Sequence, residues 1–93
     1  SEFLNYSNMK SLDFEDFDEL EFAGNFDVEI KAGNKYQVLV PNDFEANGEI
    51  SQNGSRLFLE TNSKANTGQY NRVLFFVHCY ISYVENNHRL FWL

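Results

Sequence analysis

The chain has 93 residues, of which 43% are hydrophobic and 17% aromatic, and it carries a net charge of −7. This length predicts a single domain, residues 1–93. The charge argues against partners that are nucleic acids or anionic membrane surfaces, because both require a basic patch. Membrane insertion is not expected either, since no apolar run approaches the roughly 20 residues of a membrane-spanning helix.

The N-terminal part of the chain has two sections of different character. Residues 1–12 are mixed and without a clear period, which predicts a tail or an edge strand ahead of a core formed by residues 13–93. The next section, Asp13 to Glu21, is strongly acidic. Phe14, Phe17 and Leu20 lie three residues apart, which fits a helix, whereas Leu20 and Phe22 also fit a strand. From about Phe17 onward we favour a strand, because strict alternation follows.

The tripeptide Ala-Gly-Asn occurs twice, at Ala23–Asn25 and at Ala32–Asn34. Each copy is followed by residues that alternate between apolar and polar, which predicts strands with one buried face. Glycine and asparagine tolerate positive φ, so each copy is predicted to be a hairpin corner. A phosphate-binding loop would instead need a glycine-rich run that opens a helix, and neither copy has one.

The second half of the chain contains further strand signals. Asn53-Gly54 predicts a type I′ hairpin between two short strands. Residues 71–84 read as one strand that is apolar on both faces, so we expect it to be central or to pass between two layers. The last strand, from His88, ends in an apolar run that needs covering and is predicted to be an assembly strand, with the residues Leu90, Phe91, Trp92 and Leu93.

Together these signals predict an all-β fold. Six to eight short strands, separated by turn signals and without a substantial helix, are typical of a sandwich or a β-helix-like stack of short antiparallel hairpins. The apolar last strand also makes a homo-oligomer formed through that strand the expected mode of self-association.

The acidic section is the clearest candidate for binding a partner. Calcium requires several oxygen ligands folded around the ion, but this section has neither an EF-hand pattern nor a glycine turn. A solvated acidic edge is the simpler interpretation, and such an edge is also suited to a basic protein. The candidate partner-binding residues are Asp13, Glu15, Asp16, Asp18, Glu19 and Glu21.

Neither catalysis nor a cofactor is predicted. The soft-metal candidates are His78, Cys79 and His88, but adjacent residues on a strand point to opposite faces, so His78 and Cys79 are poorly placed to share an ion. Cys79 is the single cysteine, which excludes an intramolecular disulfide, and a core position is expected for it. No serine lies in a nucleophile elbow.

Aromatic residues offer a different kind of surface. Rings that are exposed can stack on sugars or on a protein partner, which makes carbohydrate a candidate ligand. The alternative is that these rings pack in the core or on strand faces. The residues concerned are Tyr6, Tyr70, Tyr80, Tyr83 and Trp92.

The segment from residue 17 to residue 60 resembles the opening half of the head GIN domain of putative autotransporter adhesins, a family of unknown function common in Bacteroidetes. The resemblance lies in FDELEFAGNFDVEIKAGNKYQVLVPND followed by NGEISQNGSRLFLET. The family pattern there is F-x-V-x-I, a glycine turn, Y-x-V-x-V, and then a hairpin with N-G before L-x-L. Family domains are longer than this chain, and residues 73–93 are more aromatic than that pattern.

The resemblance implies an exported domain, in the periplasm, on the outer surface or secreted, with a role in adhesion or interaction and no catalytic residues. A second hypothesis, drawn from the charge, is a small acidic inhibitor or immunity-type protein that binds a basic partner through its acidic section.

Overall fold

A computed structural model describes residues 8–61, 71–85 and 88–92, the last five and Glu85 by their backbone alone. It contains nine strands and one single-turn helix. The elements are β1 (Met9–Leu12), β2 (Glu19–Ala23), β3 (Phe26–Ala32), β4 (Gln37–Pro41), α1 (Phe44–Asn47), β5 (Gly48–Asn53), β6 (Arg56–Thr61), β7 (Asn71–Val77), β8 (Ile81–Glu85) and β9 (His88–Trp92).

The strands form two sheets that pack as a sandwich, which confirms the all-β prediction and the expectation of no substantial helix. The four-stranded sheet, called sheet A, has the order β1-β4-β7-β3, and the five-stranded sheet, called sheet B, has the order β5-β6-β2-β8-β9. Both sheets are mixed, because β2 is parallel to β6 and to β8, and β3 is parallel to β7. Within the described ranges, no helix is long and apolar enough to cross a membrane.

The two Ala-Gly-Asn copies are turns, but the prediction that they form hairpin corners is wrong for both. The first joins β2 in sheet B to β3 in sheet A, and the second joins β3 to β4, which β7 separates within sheet A. Period-two alternation identifies a strand and its buried face, but it does not identify the neighbouring strand. The first turn crosses between the layers and the second passes over β7 within sheet A, so neither joins neighbouring strands.

The predicted hairpin at Asn53-Gly54 is confirmed, with a shift of one residue. β5 and β6 pair antiparallel from Gly48↔Thr61 to Asn53↔Arg56, so Gly54 and Ser55 form the loop. Gly54 has φ 63° and Ser55 does not have positive φ. This fits a type II′ turn better than the predicted type I′ turn.

The long strand predicted over residues 71–84 is divided between the two sheets. β7 occupies an interior position of sheet A, and the chain then crosses at residues 78–80 to β8 of sheet B. Both alternatives of the prediction apply, because β7 is central in sheet A with Leu74 and Phe75 buried on opposite faces, and the chain then passes from one layer to the other.

Two phenylalanines close the ends of the core. Phe17 and Phe44 are both fully buried, Phe17 between β1 and β2 and Phe44 in α1 at the other end. Between them the facing sheets bury mainly aliphatic and aromatic side chains, and Phe75 has its ring centroid 6.1 Å from that of Phe17. The buried core contains Phe17, Leu20, Phe22, Phe26, Ile30, Val38, Val40, Phe44, Leu57, Leu59, Val73, Phe75, Val77 and Ile81.

Candidate interaction surface

The segment 13–18 crosses from β1 in sheet A to β2 in sheet B and closes one end of the sandwich. Its apolar side chains turn inward, with Phe17 fully buried and Phe14 packed against the core. Its acidic side chains are exposed, namely Asp13, Glu15, Asp16 and Asp18. The helix-like spacing in this part of the sequence therefore marks residues that anchor a crossing segment, and no helix forms there.

Backbone hydrogen bonds fix the course of this segment. The amides of Asp18 and Glu19 both donate to the carbonyl oxygen of Ser55, at 2.9 and 3.1 Å. The amide of Ser82 donates to the carbonyl oxygen of Asp18 at 3.2 Å. The Gln52 side-chain amide donates to the carbonyl oxygen of Glu15 at 2.9 Å. The exposed carboxylates are thus presented by a tethered backbone.

The six predicted partner-binding carboxylates do not form one group. Glu19 and Glu21 lie on β2, half-buried, and both face Arg56 on the neighbouring strand β6. The Arg56 guanidinium lies 3.4 Å from Glu19 and 3.6 Å from Glu21. Exposed ion pairs of this kind contribute little stability. The candidate surface therefore consists of the other four carboxylates, which belong to Asp13, Glu15, Asp16 and Asp18.

The rings of Phe17, Tyr36 and His78 lie in a row from the core to the surface beside the crossing segment, with tilted contacts between neighbours. The ring centroid of Tyr36 lies 4.9 Å from that of Phe17 and 4.5 Å from that of the exposed His78. Tyr80 follows in the same loop and is 51% exposed. We call this surface the acidic end; it comprises residues 13–18, Tyr36 and residues 78–80.

Cys79 lies between these rings and the crossing segment. The Tyr36 hydroxyl donates to the Cys79 sulfur at 3.4 Å, and the Cys79 thiol lies 3.6 Å from the carbonyl oxygen of Phe17. The side chain is partly buried and packs against the core, close to the core position expected for it. Among the described residues, the hydrogen-bond partners of the thiol are the Tyr36 hydroxyl and the Phe17 carbonyl oxygen, and neither is the kind of base that activates a nucleophilic cysteine.

The Tyr36 phenol has an unusually high affinity for its proton. The hydrogen bond to Cys79 raises the pKa of Tyr36 to about 12, with further contributions from burial and from the charges of Cys79, Asp16 and Asp18. The ordinary pKa of a tyrosine is about 10. The folded state therefore favours the neutral phenol more than the unfolded state does.

This difference predicts a pH dependence of stability. The contribution of Tyr36 is fully present below the unfolded pKa and is lost as the pH rises through the folded pKa of about 12. In Tyr36→Phe, we expect a smaller loss of stability across that alkaline range, measured by urea unfolding at a series of pH values. An identical alkaline decline in the variant and the wild type would contradict this assignment.

Metal binding has no support at the acidic end. In the part of the chain that the structure describes, no three residues among His, Cys, Asp and Glu are grouped so that they could hold an ion.

A second acidic surface lies at the opposite end of the sandwich. A cavity of about 280 Å³ is bordered by Glu45, Gly48, Glu49 and Glu60. Glu49 and Glu60 face each other directly across the β5–β6 hairpin, an arrangement that is normally unfavourable for like charges. Glu45 pairs with Lys10. This surface provides a comparison for the effect of charge alone.

The predicted assembly strand corresponds to β9, an edge strand of sheet B that pairs antiparallel with β8. Leu90, Phe91 and Trp92 fall within it, and Leu93 lies outside the described residues. The prediction that this strand mediates assembly stays a prediction.

Tyr36 was not identified as a site residue from the sequence. It precedes β4 in the alternating pattern Tyr36, Val38, Val40, which indicates a strand face and gives no sign of contact with residues 17 and 78. Only the crossing of segment 13–18 over the sandwich end brings these residues together. In the sequence, the feature that pointed to this site was the mixture of phenylalanines and carboxylates in segment 13–18.

Solved structures share this fold, although no protein-family model and no curated protein matches the chain. A putative adhesin from Bacteroides fragilis superposes with a TM-score of 0.61 at 11% identity, over 82% of this chain and 38% of that one. A putative lipid binding protein from Parabacteroides distasonis gives 0.53 at 15% identity, over 75% and 33%. A putative adhesin from Parabacteroides merdae gives 0.53 at 14% identity, over 75% and 31%.

At these identities the likeness establishes the fold and nothing about activity. The chain spans between 31% and 38% of the length of these three structures. Two of the three are named as adhesins, and all three come from the genera Bacteroides and Parabacteroides, in keeping with the resemblance found in the sequence.

Proposed function

We propose that this chain is a non-enzymatic interaction domain of an exported or cell-surface protein, of the kind represented by the head GIN domain of adhesins. The observation that carries the proposal is the acidic end, where exposed carboxylates and exposed rings are presented on a tethered backbone. The fold of two structures named as adhesins supports it.

The cellular location is the first test. The native protein should be found in the envelope fraction or the medium of the organism that encodes it, detected with an antibody against this chain. A protease added to intact cells or to spheroplasts should degrade it. A protein confined to the cytosol and protected in spheroplasts would contradict the proposal.

A second candidate function is an acidic inhibitor or immunity-type protein that binds a basic partner. The ion pairs among the described residues include Glu19 and Glu21, but they include none of Asp13, Glu15, Asp16 and Asp18. Four exposed carboxylates on one segment create a local negative potential that steers a cationic partner. This function would use the same surface as the first.

Charge removal tests the acidic end directly. We expect Glu15→Gln, Asp16→Asn and Asp18→Asn together to weaken binding of a hexalysine peptide about tenfold at low salt, because the local potential is lost. Asparagine also tolerates the positive φ of Asp16, which is 60°, so the backbone should be unaffected. Isothermal titration at two salt concentrations provides the measurement.

The matched control removes three exposed charges elsewhere, as Asp43→Asn, Glu49→Gln and Glu60→Gln. At about 0.15 M salt, this variant should bind hexalysine within about twofold of the wild type, since charges at the far end are then screened over about 8 Å. Equal weakening in the two variants would show that net charge, and not the acidic end, determines binding.

Two narrower predictions complete the proposal. Self-association through β9 predicts a dimer or larger species in light scattering, which deletion of residues 88–93 should convert to monomer. Carbohydrate binding at the acidic end predicts that Tyr80→Ala, at an exposed ring, reduces retention on a glycan array without changing the fold.

A further inference from the structure

Sheet A ends at β3, whereas sheet B continues past the strand that faces it. Five connections cross between the sheets, and three of them join β2 to β3, β4 to β5 and β6 to β7. These six strands have matching orders, β4-β7-β3 in sheet A and β5-β6-β2 in sheet B, from which we infer that each faces the strand to which it is connected. The ring centroids of Phe22 on β2 and Phe26 on β3 lie 5.2 Å apart, as this arrangement requires. β8 and β9 therefore extend beyond β3, and among the described strands none of sheet A lies opposite them.

The outer edge of β3 presents backbone groups to this space. The Asn71 amide donates to the carbonyl oxygen of Asn25 at 3.0 Å, and the Gly33 amide donates to that of Val77 at 2.8 Å. In the parallel register between these two bonds, every second residue of β3 directs both its N–H and its C=O group to β7. The N–H and C=O groups of Phe26, Val28 and Ile30 consequently point to the free edge.

An apolar floor lies beside this edge. Tyr83 on β8 faces inward and is partly buried, with its ring centroid 6.0 Å from that of Phe22. We call the space between the β3 edge and the inner face of β8 the strand slot. It combines backbone donors and acceptors that pair with no described strand and an apolar ring, which are the two features used when a sheet accepts an additional strand.

The charges on β3 indicate which strand would fit. Its outward face carries Asp27, Glu29 and Lys31 in succession, and its inward face is apolar. On an antiparallel neighbour, residues directly opposite share a face. Such a neighbour would therefore place apolar residues inward, basic residues opposite Asp27 and Glu29, and an acidic residue opposite Lys31.

We propose that the strand slot binds an extended segment of a partner polypeptide that alternates apolar and mainly basic residues, adding it antiparallel to β3. This surface is separate from the acidic end, and binding there does not depend on the proposed function. Two of the edge charges pair with each other, Lys31 with Glu29 at 3.4 Å. In the absence of a partner, the edge charges would also discourage edge-to-edge aggregation, and the experiment below distinguishes this role from partner binding.

The probe is the peptide Val-Glu-Val-Lys-Val-Lys-Val, whose two lysines align with Glu29 and Asp27. Its binding is measured by fluorescence anisotropy. An analogue N-methylated at its third and fifth residues keeps the charge but loses the N–H groups that face β3, and we expect it to bind at least tenfold more weakly. The peptide with lysine and glutamate exchanged should bind at least fivefold more weakly.

Two variants of the protein complete the test. Val28→Pro removes an N–H that points to the free edge and leaves the bonds to β7, so the peptide should no longer bind. Because this variant could fail to fold, Asp27→Lys with Glu29→Lys provides a second measurement, and it should reverse the preference between the two peptides. Equal binding of the N-methylated analogue, an unchanged preference, or no binding of the first peptide would each overturn the proposal.

Discussion

Replacing Phe17 with alanine should lower the free energy of unfolding by about 3–5 kcal/mol, the range for removing a buried phenylalanine. Phe17 is fully buried, and its ring contacts Tyr36 and Phe75. A domain of this size is stable by only about 0.05–0.15 kcal/mol per residue. The variant should therefore lose a large share of its stability, which urea titration followed by circular dichroism would show.

The neighbouring Phe14 provides the matched control. It lies in the same crossing segment but is only partly buried, so Phe14→Ala should cost about 1 kcal/mol, in proportion to the smaller area removed from water. Similar losses in the two variants would mean that Phe17 does not close the core as the structure indicates.

The Phe17 variant also connects stability to the acidic end. The exposed carboxylates flank Phe17 on both sides, at Asp16 and Asp18, so their positions depend on its burial. In the absence of urea, and at a temperature at which both variants keep some folded protein, we expect hexalysine binding to weaken more in Phe17→Ala than in Phe14→Ala. The surface and the core are thus built by the same few residues.

The sequence predicts much of the local structure correctly because local structure depends on local patterns. Alternation identifies the strands at residues 26–32 and 37–41, and Asn53-Gly54 identifies a hairpin whose strands are adjacent in the chain. The buried faces follow from the same alternation, as Phe26 and Ile30 show.

The pairing of distant strands is not encoded in these patterns. β2 lies between β6 and β8, which come 37 and 63 residues later in the register pairs Glu19↔Arg56 and Glu19↔Ser82. Neither alternation nor turn composition distinguishes a hairpin from a crossing between layers or from a connection that passes over a strand of the same sheet. The predicted hairpins at both Ala-Gly-Asn copies failed for this reason.

The candidate site was predictable only in part for the same reason. The exposed carboxylates were recognisable from composition, but the separation of Glu19 and Glu21 from the others depends on Arg56, a residue on a strand distant in the chain. The contact of Tyr36 with Phe17 and His78 likewise requires three separate loops at one end of the sandwich.

The two Ala-Gly-Asn copies should respond very differently to alanine. Gly24 has φ 120°, a conformation that L side chains rarely adopt, and a Cβ there would overlap the Thr61 hydroxyl and lie 3.0 Å from its Cβ. Backbone strain of about 1–3 kcal/mol and steric overlap of about 1–3 kcal/mol act together. We therefore expect Gly24→Ala to lower the free energy of unfolding by more than about 2 kcal/mol.

Gly33→Ala provides the internal comparison for this prediction. Gly33 does not have positive φ, and its nearest neighbour to an added Cβ is the Phe76 ring at 3.4 Å. Alanine there should change stability by less than about 1 kcal/mol, and it could stabilise the fold by restricting the unfolded chain. Urea unfolding of both variants tests whether the repeated tripeptide serves two different structural roles.

Thr61→Ala separates the two causes of the expected Gly24 effect. Removing the Thr61 hydroxyl relieves the overlap but leaves the backbone strain at Gly24, so Gly24→Ala should cost less in the Thr61→Ala background than in the wild type. If Gly24→Ala were as mild as Gly33→Ala in the wild type, the tight crossing from β2 to β3 would not require glycine. A strong effect confined to Gly24 would show that the first copy is fixed by the approach of β6, and that the second copy is a turn open to substitution.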